Sequence, residues 1–573
     1  MDTKQLKVFG LLMLAIIVVW LLFAAFLAKK QPAATLPRFA FHFDAAQALE
    51  TAQQFNAKYP NRTLGSIESR QSSGFVIERL EELGYEVNLT HFDAKIAGHT
   101  QVGRNIFAFK RGALEETLAV IAHYDTSGNA AQDKIDSGLG IGVLLELARL
   151  LSGANLHHSL LMIASDGHEG GMLGALDVVQ NYPQLERFVA VLSLEGLRTE
   201  RLSGFILDTA GQIGGSTPAW LRQLAFDIVA RQGLPVSIPC GIREFLDKAL
   251  VLSSADQGPF LNAGIPAINL SCNPSGLPVE KGSYQFPQDS SDGMQQAGVE
   301  KYGQAAAEIL QALDGLTEIP AESMRSFCVI NSRYLSPRAV SILLWISFAP
   351  VLAALYFHFR NNLSYLTFKR IFRELLGFAV TILPLVTVYC AIVLFRLRHL
   401  IPAYSFYPPS PQNAALSSTP WRVLAGLFVI GLIVGGICYA VFRFIARKLA
   451  QPDFYVSKTI LLAIFVFVIV WALRYNSHWA VLFLLLPSWI WSLVGMGKGY
   501  GGSFANSIWI IAAGIPYYTV LVFYSSSLQL DGRAVWYNVL ALSTGMFTAQ
   551  GFLLAAATLA IGIRLLTLQS IRV

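Results

Sequence analysis

Hydrophobic residues follow two different patterns along this chain. Between residues 40 and 320, short β-rich runs alternate with runs of helical period, which is typical of an α/β sheet with helices packed on it. From residue 338 onward, long apolar runs follow one another almost without interruption. The patterns predict an α/β domain followed by an all-helical membrane domain.

The α/β part is long enough, at about 280 residues, to form one domain with its own core. Its predicted strands are residues 105–109, 117–122, 159–164, 188–194 and 267–271. Its predicted helices are residues 45–59, 73–83, 139–151, 172–180, 218–232 and 293–313.

The membrane pattern begins near the N-terminus. Residues 9–28 carry no charge and are long enough to cross a bilayer, which favours an uncleaved anchor at residues 1–30 over a cleaved signal peptide. Further apolar runs cover residues 339–357, 375–395, 423–442, 459–473, 479–496, 508–524 and 535–563. They predict about seven more spans in a membrane domain at residues 331–573, with residues 31–330 forming the domain outside the bilayer.

Charge indicates the orientation in the membrane. With a cytoplasmic N-terminus, the loops predicted inside carry Arg360, Lys369, Arg370, Arg373, Arg443, Arg447, Lys448, Lys458, Lys498, Arg564 and Arg572. The loops predicted outside carry only Arg396, Arg398, Arg422, Arg474 and Arg533. This excess follows the positive-inside rule, so we expect both termini in the cytoplasm and residues 31–330 in the periplasm or an organelle lumen. Short loops and sparse lysine favour a bacterial inner membrane.

Composition supports this interpretation, because 54% of the residues are hydrophobic and only 14% are charged. The net charge of +6 is explained by membrane topology, so we expect a lipid bilayer and no nucleic acid as partner. Five cysteines do not make a disulfide framework in a chain of this length. Cys240, Cys272 and Cys328 fall in the external domain, where Cys240 and Cys272 could pair.

Polar residues follow three consecutive predicted strands, where open α/β sheets bind their ligands. In chain order these residues are His123, Asp125, Asp136, His168, Glu169 and Glu195. Asp136 is predicted at the mouth of helix 139–151, after an exposed loop that contains Asp133 and Lys134. An imidazole with several carboxylates suits a co-catalytic zinc pair, which can ionise a water and polarise a carbonyl.

Three stretches resemble metallopeptidase family 28, the di-zinc aminopeptidases and their membrane-bound relatives. They are Ala122-His-Tyr-Asp125, Asp166-Gly-His-Glu-Gly-Gly-Met-Leu-Gly-Ala, and the stretch Ser254-Ala-Asp256-Gln257 that continues to Gly264-Ile-Pro-Ala. Together they cover most of residues 100–310 in the order of the family. The resemblance implies a mixed sheet flanked by helices, as in the zinc aminopeptidases.

The resemblance also implies a role for each residue. His123, Asp136 and Glu195 would hold one zinc, and Asp125 would orient His123. Asp136 and Glu169 would hold a second zinc, with Asp136 bridging the two ions. The first position looks complete, so one zinc is expected and a second could bind.

Two positions depart from the family pattern. His168 stands where the family has its general-base glutamate, so it could be the base, a substitute metal ligand or an inert replacement. Gln285 stands where the family has its last histidine ligand, and an amide is a much weaker zinc ligand than an imidazole. Gln257 also replaces a histidine beside the site.

Two functions are consistent with these features. The first is zinc-dependent hydrolysis of the N-terminal peptide bond of a peptide or protein substrate at the extracytoplasmic face. The second is a catalytically impaired family member that binds a peptide or a partner. The arrangement of one span plus seven is similar to that of a glycosylphosphatidylinositol transamidase subunit and of the endoplasmic-reticulum metallopeptidases. The seven-helix bundle would then serve as a scaffold or could bind another membrane protein, rather than transport a solute.

Overall fold

A computed structural model of the chain describes two compact units. The described residues are 3–30, 42–96, 98–126, 131–197, 202–211, 215–250, 255–274, 296–318, 320, 326–330, 333–403, 420–494, 503–527, 530, 533–545 and 547–569. The globular unit is built mainly from Ala28–Pro337. The helical unit is built from Met1–Leu27, Arg338–Ala403 and Ala414–Val573.

The chain begins with α1 (Thr3–Leu27) of the helical unit and then enters the globular unit. The elements of the globular unit are β1 (Lys29–Lys30), α2 (Ala45–Lys58), α3 (Ile67–Glu82), β2 (Glu86–Ile96), β3 (His99–Lys110), β4 (Thr117–His123), α4 (Ala131–Ser152), β5 (Ser159–Ser165), α5 (Leu173–Asn181), β6 (Phe188–Leu194), β7 (Leu202–Asp208), α6 (Ala219–Ala230), β8 (Val236–Ser237), α7 (Ile242–Ala249), α8 (Gln257–Asn262), β9 (Ala267–Pro274), α9 (Gln296–Asp314), β10 (Phe327–Ile330) and β11 (Arg333–Leu335).

Among the residues that the structure describes, the main sheet has eight strands in the order β2-β3-β5-β4-β6-β9-β7-β8. Its centre, β5-β4-β6-β9, is parallel, whereas β2, β3 and β7 run antiparallel to their neighbours toward the centre. A small second sheet has the order β1-β11-β10. The prediction of a mixed sheet flanked by helices is therefore confirmed.

Side chains that alternate along the central strands form two cores, one on each face of the sheet. Leu118 and Val120 of β4 pack with residues of α2, α4, α6 and α9. Ala119 and Ile121 of the same strand pack with residues of α5 and α8. Because both faces are covered, β4 and β5 are buried along their whole length, as in other parallel strands.

The chain leaves β4 and β5 toward opposite faces of the sheet, since α4 packs in the first core and α5 in the second. Such a divergence opens a crevice at the carboxyl ends of the two strands, which is where α/β sheets bind ligands.

One helix boundary differs from the prediction. Helix α4 begins at Ala131, so Asp136 lies inside the helix rather than at its mouth, and Asp133 and Lys134 belong to the helical backbone rather than to a loop. Residues 131–137 contain neither proline nor glycine, so a helix stabilised by its apolar half can extend through them.

The disulfide joins Cys240 to Cys328, so the expectation that Cys240 could pair with Cys272 is wrong. Cys272 lies on β9 opposite Phe205 of β7 and is held within the sheet. The segment before α7 instead runs beside β10, where the Gly241 N–H donates to the Cys328 carbonyl at 2.8 Å.

In the described part of the helical unit, α1 is followed by ten further helices. They are α10 (Pro337–Ile346), α11 (Ala349–Asn362), α12 (Phe368–Leu397), α13 (Trp421–Ala446), α14 (Phe454–Tyr475), α15 (Ser477–Leu493), α16 (Ser503–Ala512), α17 (Ile515–Ser527), α18 (Ala534–Thr544) and α19 (Ala549–Gln569).

Within the described residues, seven helical segments are long and apolar enough to cross a membrane, which is compatible with a multi-pass membrane protein. The predicted span 479–496 corresponds to α15, a shorter apolar helix. The predicted span 535–563 is divided into α18 and α19, because Gly545 adopts a φ of 87° and ends α18.

Candidate active site

The carboxyl ends of three neighbouring parallel strands bring the predicted site residues to one edge of the sheet. His123 is the last residue of β4, and Glu195 directly follows β6. His168 and Glu169 lie in the turn after β5, which pairs with β4. Each of these three strands therefore brings at least one imidazole or carboxylate to the crevice at its carboxyl end.

Asp125 connects two of these segments. Its Oδ1 lies 3.4 Å from Nδ1 of the buried His123. The same carboxylate accepts the backbone N–H groups of His168 and Glu169, each at 3.0 Å. Asp125 thus fixes the turn after β5 relative to His123, which is compatible with the orienting role predicted for it.

His168 lies against His123, with their rings stacked at a centroid distance of 4.1 Å. Its Nδ1 is 2.9 Å from Oδ1 of Asp256 and 3.7 Å from Oε1 of Glu195. The turn that carries His168 leads to Met172, which adopts a φ of 58°. A left-handed conformation is unusual for a residue other than glycine and is commonest where a site constrains the backbone.

Asp256 was not predicted as a site residue. It is fully buried, and its Oδ2 accepts the Ser165 hydroxyl at 3.1 Å. Its own N–H donates to Oε1 of Glu195 at 2.6 Å, and Ser193 donates to the same oxygen at 3.0 Å. The sequence signal for Asp256 is its place in the stretch Ser254-Ala-Asp256-Gln257, one of the three that resemble metallopeptidase family 28.

The remaining predicted residues are placed as follows. Asp136 is half-buried, and its Oδ1 accepts the N–H of Leu197 at 2.8 Å, two residues beyond Glu195. Glu169 lies near enough to His168 to interact with it electrostatically. Gln257 is buried and donates to the Ala210 carbonyl at 3.2 Å. Gln285 lies outside the described residues.

The charged side chains in this crevice shift one another's pKa values. Burial lowers the pKa of His123, but Asp125 and Asp136 outweigh burial and raise it to about 9. Burial also opposes the charge on His168, yet Glu195 and Asp256 raise the pKa of His168 well above its usual value. Burial raises the pKa of Glu195 to about 7, against the opposing charge of His168. Cation and carboxylates therefore stabilise one another in the crevice.

The donor atoms fit a zinc ion. Ligand atoms of His168, Glu195 and Asp256 all lie within 4.8 Å of one another, and this is the one such group among the described residues. Of the predicted ligands, Glu195 belongs to this group, whereas His123, Asp136 and Glu169 do not. Nδ1 of His123 faces Asp125 at 3.4 Å, so the other ring nitrogen, Nε2, is the atom that would bind a metal. Imidazole nitrogens and carboxylate oxygens are ordinary zinc ligands, and a cation would compensate the clustered carboxylates of Glu195 and Asp256.

Arg62 holds two of the site segments in place through hydrogen bonds. The sequence did not predict this role. Its guanidinium is fully buried and donates to the Tyr124 carbonyl at 2.6 Å, to the Ser137 hydroxyl at 2.7 Å and to the Tyr59 carbonyl. Tyr124 lies between His123 and Asp125, and Ser137 follows Asp136. One arginine therefore ties together the two segments that carry these site residues.

Comparisons with known proteins give a consistent result. Residues 105–310 match the model of Peptidase family M28. The Alkaline phosphatase isozyme conversion protein of Escherichia coli (strain K12) is 23% identical over 239 residues, which cover 38% of this chain. The match spans 63% of the length of that relative.

Solved structures with low sequence identity also align with this chain. A zinc aminopeptidase from Bacillus subtilis is 15% identical, with a TM-score of 0.38 over 48% of this chain and 95% of its own. The glutaminyl cyclase of Porphyromonas gingivalis is 20% identical, with a TM-score of 0.40 over 48% of this chain and 99% of its own.

Proposed function

We propose that the protein is a membrane-anchored, zinc-dependent aminopeptidase, because residues 105–310 match the model of Peptidase family M28. It would hydrolyse the N-terminal peptide bond of peptides or proteins at the extracytoplasmic face of a bacterial inner membrane. The observation that carries this proposal is the meeting of His123, Asp125, His168 and Glu195 at one edge of the sheet.

The metal ligands in this proposal come from β4, from α4 and from the segments that follow β5 and β6. His123, Asp136 and Glu195 would hold one zinc, Asp136 and Glu169 would hold a second, and Asp125 would orient His123. When bound, zinc would polarise the scissile carbonyl and make the attacking water more acidic. His123, Asp125 and Glu195 are all buried, so bulk water would be largely excluded from the metal site.

His168 would act as the general base. Asp256 contacts Nδ1, which leaves Nε2 as the atom that would accept a proton from the attacking water and pass it to the leaving amine, once the charge of bound zinc had offset the carboxylates that raise the pKa of His168. A buried carboxylate on the other ring nitrogen orients a catalytic histidine and stabilises its charged form, and Asp256 supplies such a carboxylate here. The side chain of His168 is 14% exposed, so it reaches the crevice.

The test uses the full-length protein purified in detergent. Zinc content is measured by elemental analysis, and cleavage of aminoacyl-p-nitroanilides is measured with and without a chelator. We expect zinc bound in stoichiometric amounts and activity that the chelator removes. His168→Ala should abolish turnover while zinc stays bound, whereas His91→Ala, an exposed histidine on β2, should change neither quantity.

Other outcomes would point elsewhere. Full activity in His168→Ala would remove His168 from the mechanism. A folded wild-type protein that holds no zinc and cleaves no aminoacyl substrate would contradict the peptidase proposal, and would favour the alternative of an impaired family member that binds a peptide or a membrane partner. That alternative is suggested by His168, because a histidine replaces the expected glutamate and is already engaged by two carboxylates.

A further inference from the structure

Helices α12 and α13 form an antiparallel pair within the helical unit. A Cβ atom placed on Gly431 would lie 3.2 Å from Val388, and one placed on Gly435 would lie 3.8 Å from Pro384. Gly431 thus allows close approach of α13 to α12, as small residues commonly do between membrane helices, and Gly435 lies in ordinary contact with α12. These contacts fix the register, so the start of α12 lies beside the end of α13.

A hydrogen-bonded contact at that end confirms the register. Arg373, in the second turn of α12, donates from Nη1 to the carbonyls of Ala446 at 3.4 Å and Ala450 at 2.7 Å. The neighbouring turns carry several more cations. The six residues Lys369, Arg370, Arg373, Arg443, Arg447 and Lys448 are named here the basic cluster.

The basic cluster makes no ion pair with a carboxylate of the described residues. Among the described residues, none of its six members lies within 4 Å of a carboxylate oxygen. The acidic residue nearest in sequence, Glu374, is buried and pairs with Arg564 at 2.8 Å. Lys369, Arg443, Arg447 and Lys448 are exposed. A group of like charges without a counterion attracts an anion from outside the protein.

The residues around the basic cluster indicate which kind of anion would fit there. Phe368 is 81% exposed, Phe444 is 65% exposed and Phe372 is 42% exposed. These aromatic side chains belong to the same helical turns as the cations, on helices that are apolar enough to span a bilayer. Exposed apolar rings beside exposed cations match a lipid molecule, whose acyl chains are apolar and whose headgroup carries the charge.

We propose that the basic cluster is a binding site for anionic phospholipid. The phosphate of the headgroup lies among the guanidinium and ammonium groups, and the acyl chains lie against the exposed aromatic rings. Arginine suits this role because its planar guanidinium donates two parallel hydrogen bonds to phosphate oxygens. The proposal is independent of the peptidase activity, since it uses residues of the helical unit alone.

The experiment measures lipid binding to the full-length protein in detergent by native mass spectrometry. Phosphatidylglycerol is the anionic probe and phosphatidylcholine is the zwitterionic reference. The test variant is Arg443→Gln/Arg447→Gln. The matched control is Arg398→Gln/Arg422→Gln, which removes the same charge from exposed arginines at the opposite end of the same helix pair.

We expect the wild-type protein and the control to bind phosphatidylglycerol more tightly than phosphatidylcholine. Each basic residue near an anionic lipid surface strengthens binding by roughly fivefold, so the test variant should bind phosphatidylglycerol about 25-fold more weakly. Binding of phosphatidylcholine should be unchanged. Equal affinity of the wild-type protein for the two lipids would overturn the proposal, and so would an equal loss in the test variant and the control.

Discussion

Arg62 offers a sharp test of how the candidate site is held together, because one buried guanidinium contacts both the segment of His123 and Asp125 and the segment of Asp136. The change is Arg62→Met, which keeps most of the apolar stem and removes the charge. It leaves the carbonyls of Tyr59 and Tyr124 and the hydroxyl of Ser137 without their donor. It also removes the positive charge that interacts with Asp125.

The size of the effect follows from burial. Burial lowers the pKa of Arg62 to about 10, while Asp125 and Glu68 act in the opposite direction, so the group stays charged at neutral pH. Removing one partner from a buried charged network typically costs about 3–5 kcal/mol. For a unit as large as the globular one, losing this much free energy of unfolding lowers the melting temperature by about 10 °C.

The assay is thermal unfolding of the full-length protein in detergent, followed by circular dichroism. The matched control is Arg79→Met, because Arg79 forms an exposed ion pair with Glu82 at 3.1 Å with side chains 46% and 54% exposed. Exposed pairs contribute less than about 1 kcal/mol, so the control should melt within about 3 °C of the wild-type protein. If Arg62→Met melted as close to the wild type as the control does, the bracing role argued for Arg62 would be wrong.

Two further predictions concern the segment near the disulfide. Cys240→Ser should destabilise the protein by about 2–5 kcal/mol, because the bond closes a loop between residues 88 apart; unfolding with and without reductant checks this, and a wild-type melting temperature insensitive to reductant would contradict it. Asp247→Asn should stabilise the protein at pH 8 and have little effect below pH 4. Burial raises the pKa of Asp247 from 3.8 to about 7, so the folded state keeps a proton that the unfolded chain loses, and stability falls as pH rises between these values. Melting curves from pH 4 to 8 should show a flatter profile for this variant; parallel profiles would exclude the effect.

The central strands could be predicted from sequence because burial on both faces leaves a continuous apolar run. Strands β4, β5 and β6 are of this kind, and each was predicted within two residues of its bounds. The edge strand β2 was missed, since most of its residues are exposed and its pattern does not alternate cleanly. The start of α3 was missed for a related reason. Its first turn is polar, and the signal for it is a single capping contact, from the N–H of Ser69 to the hydroxyl of Ser66.

The candidate site was predictable only where it follows the strands. His123, His168 and Glu195 could be placed together because parallel neighbours end at one edge of the sheet. Asp256 directly precedes α8, and the position of α8 relative to β5 and β6 depends on packing in the second core, which local periodicity does not encode. Arg62 was equally hidden, since arginine in a polar loop normally indicates an exposed side chain.

This difference changes the interpretation of His168. Considered alone in the sequence, a histidine in place of a glutamate looks like the loss of a catalytic group. In the folded chain the histidine lies between Asp256 and Glu195 and stacks on His123, so the substitution has a complete set of partners. If His168 were an inert replacement, it would need no buried carboxylate directed at one of its ring nitrogens. Burying the charge of Asp256 without a partner would also be costly. The pairing of His168 with Asp256 therefore favours a working imidazole at this position over a vestigial one.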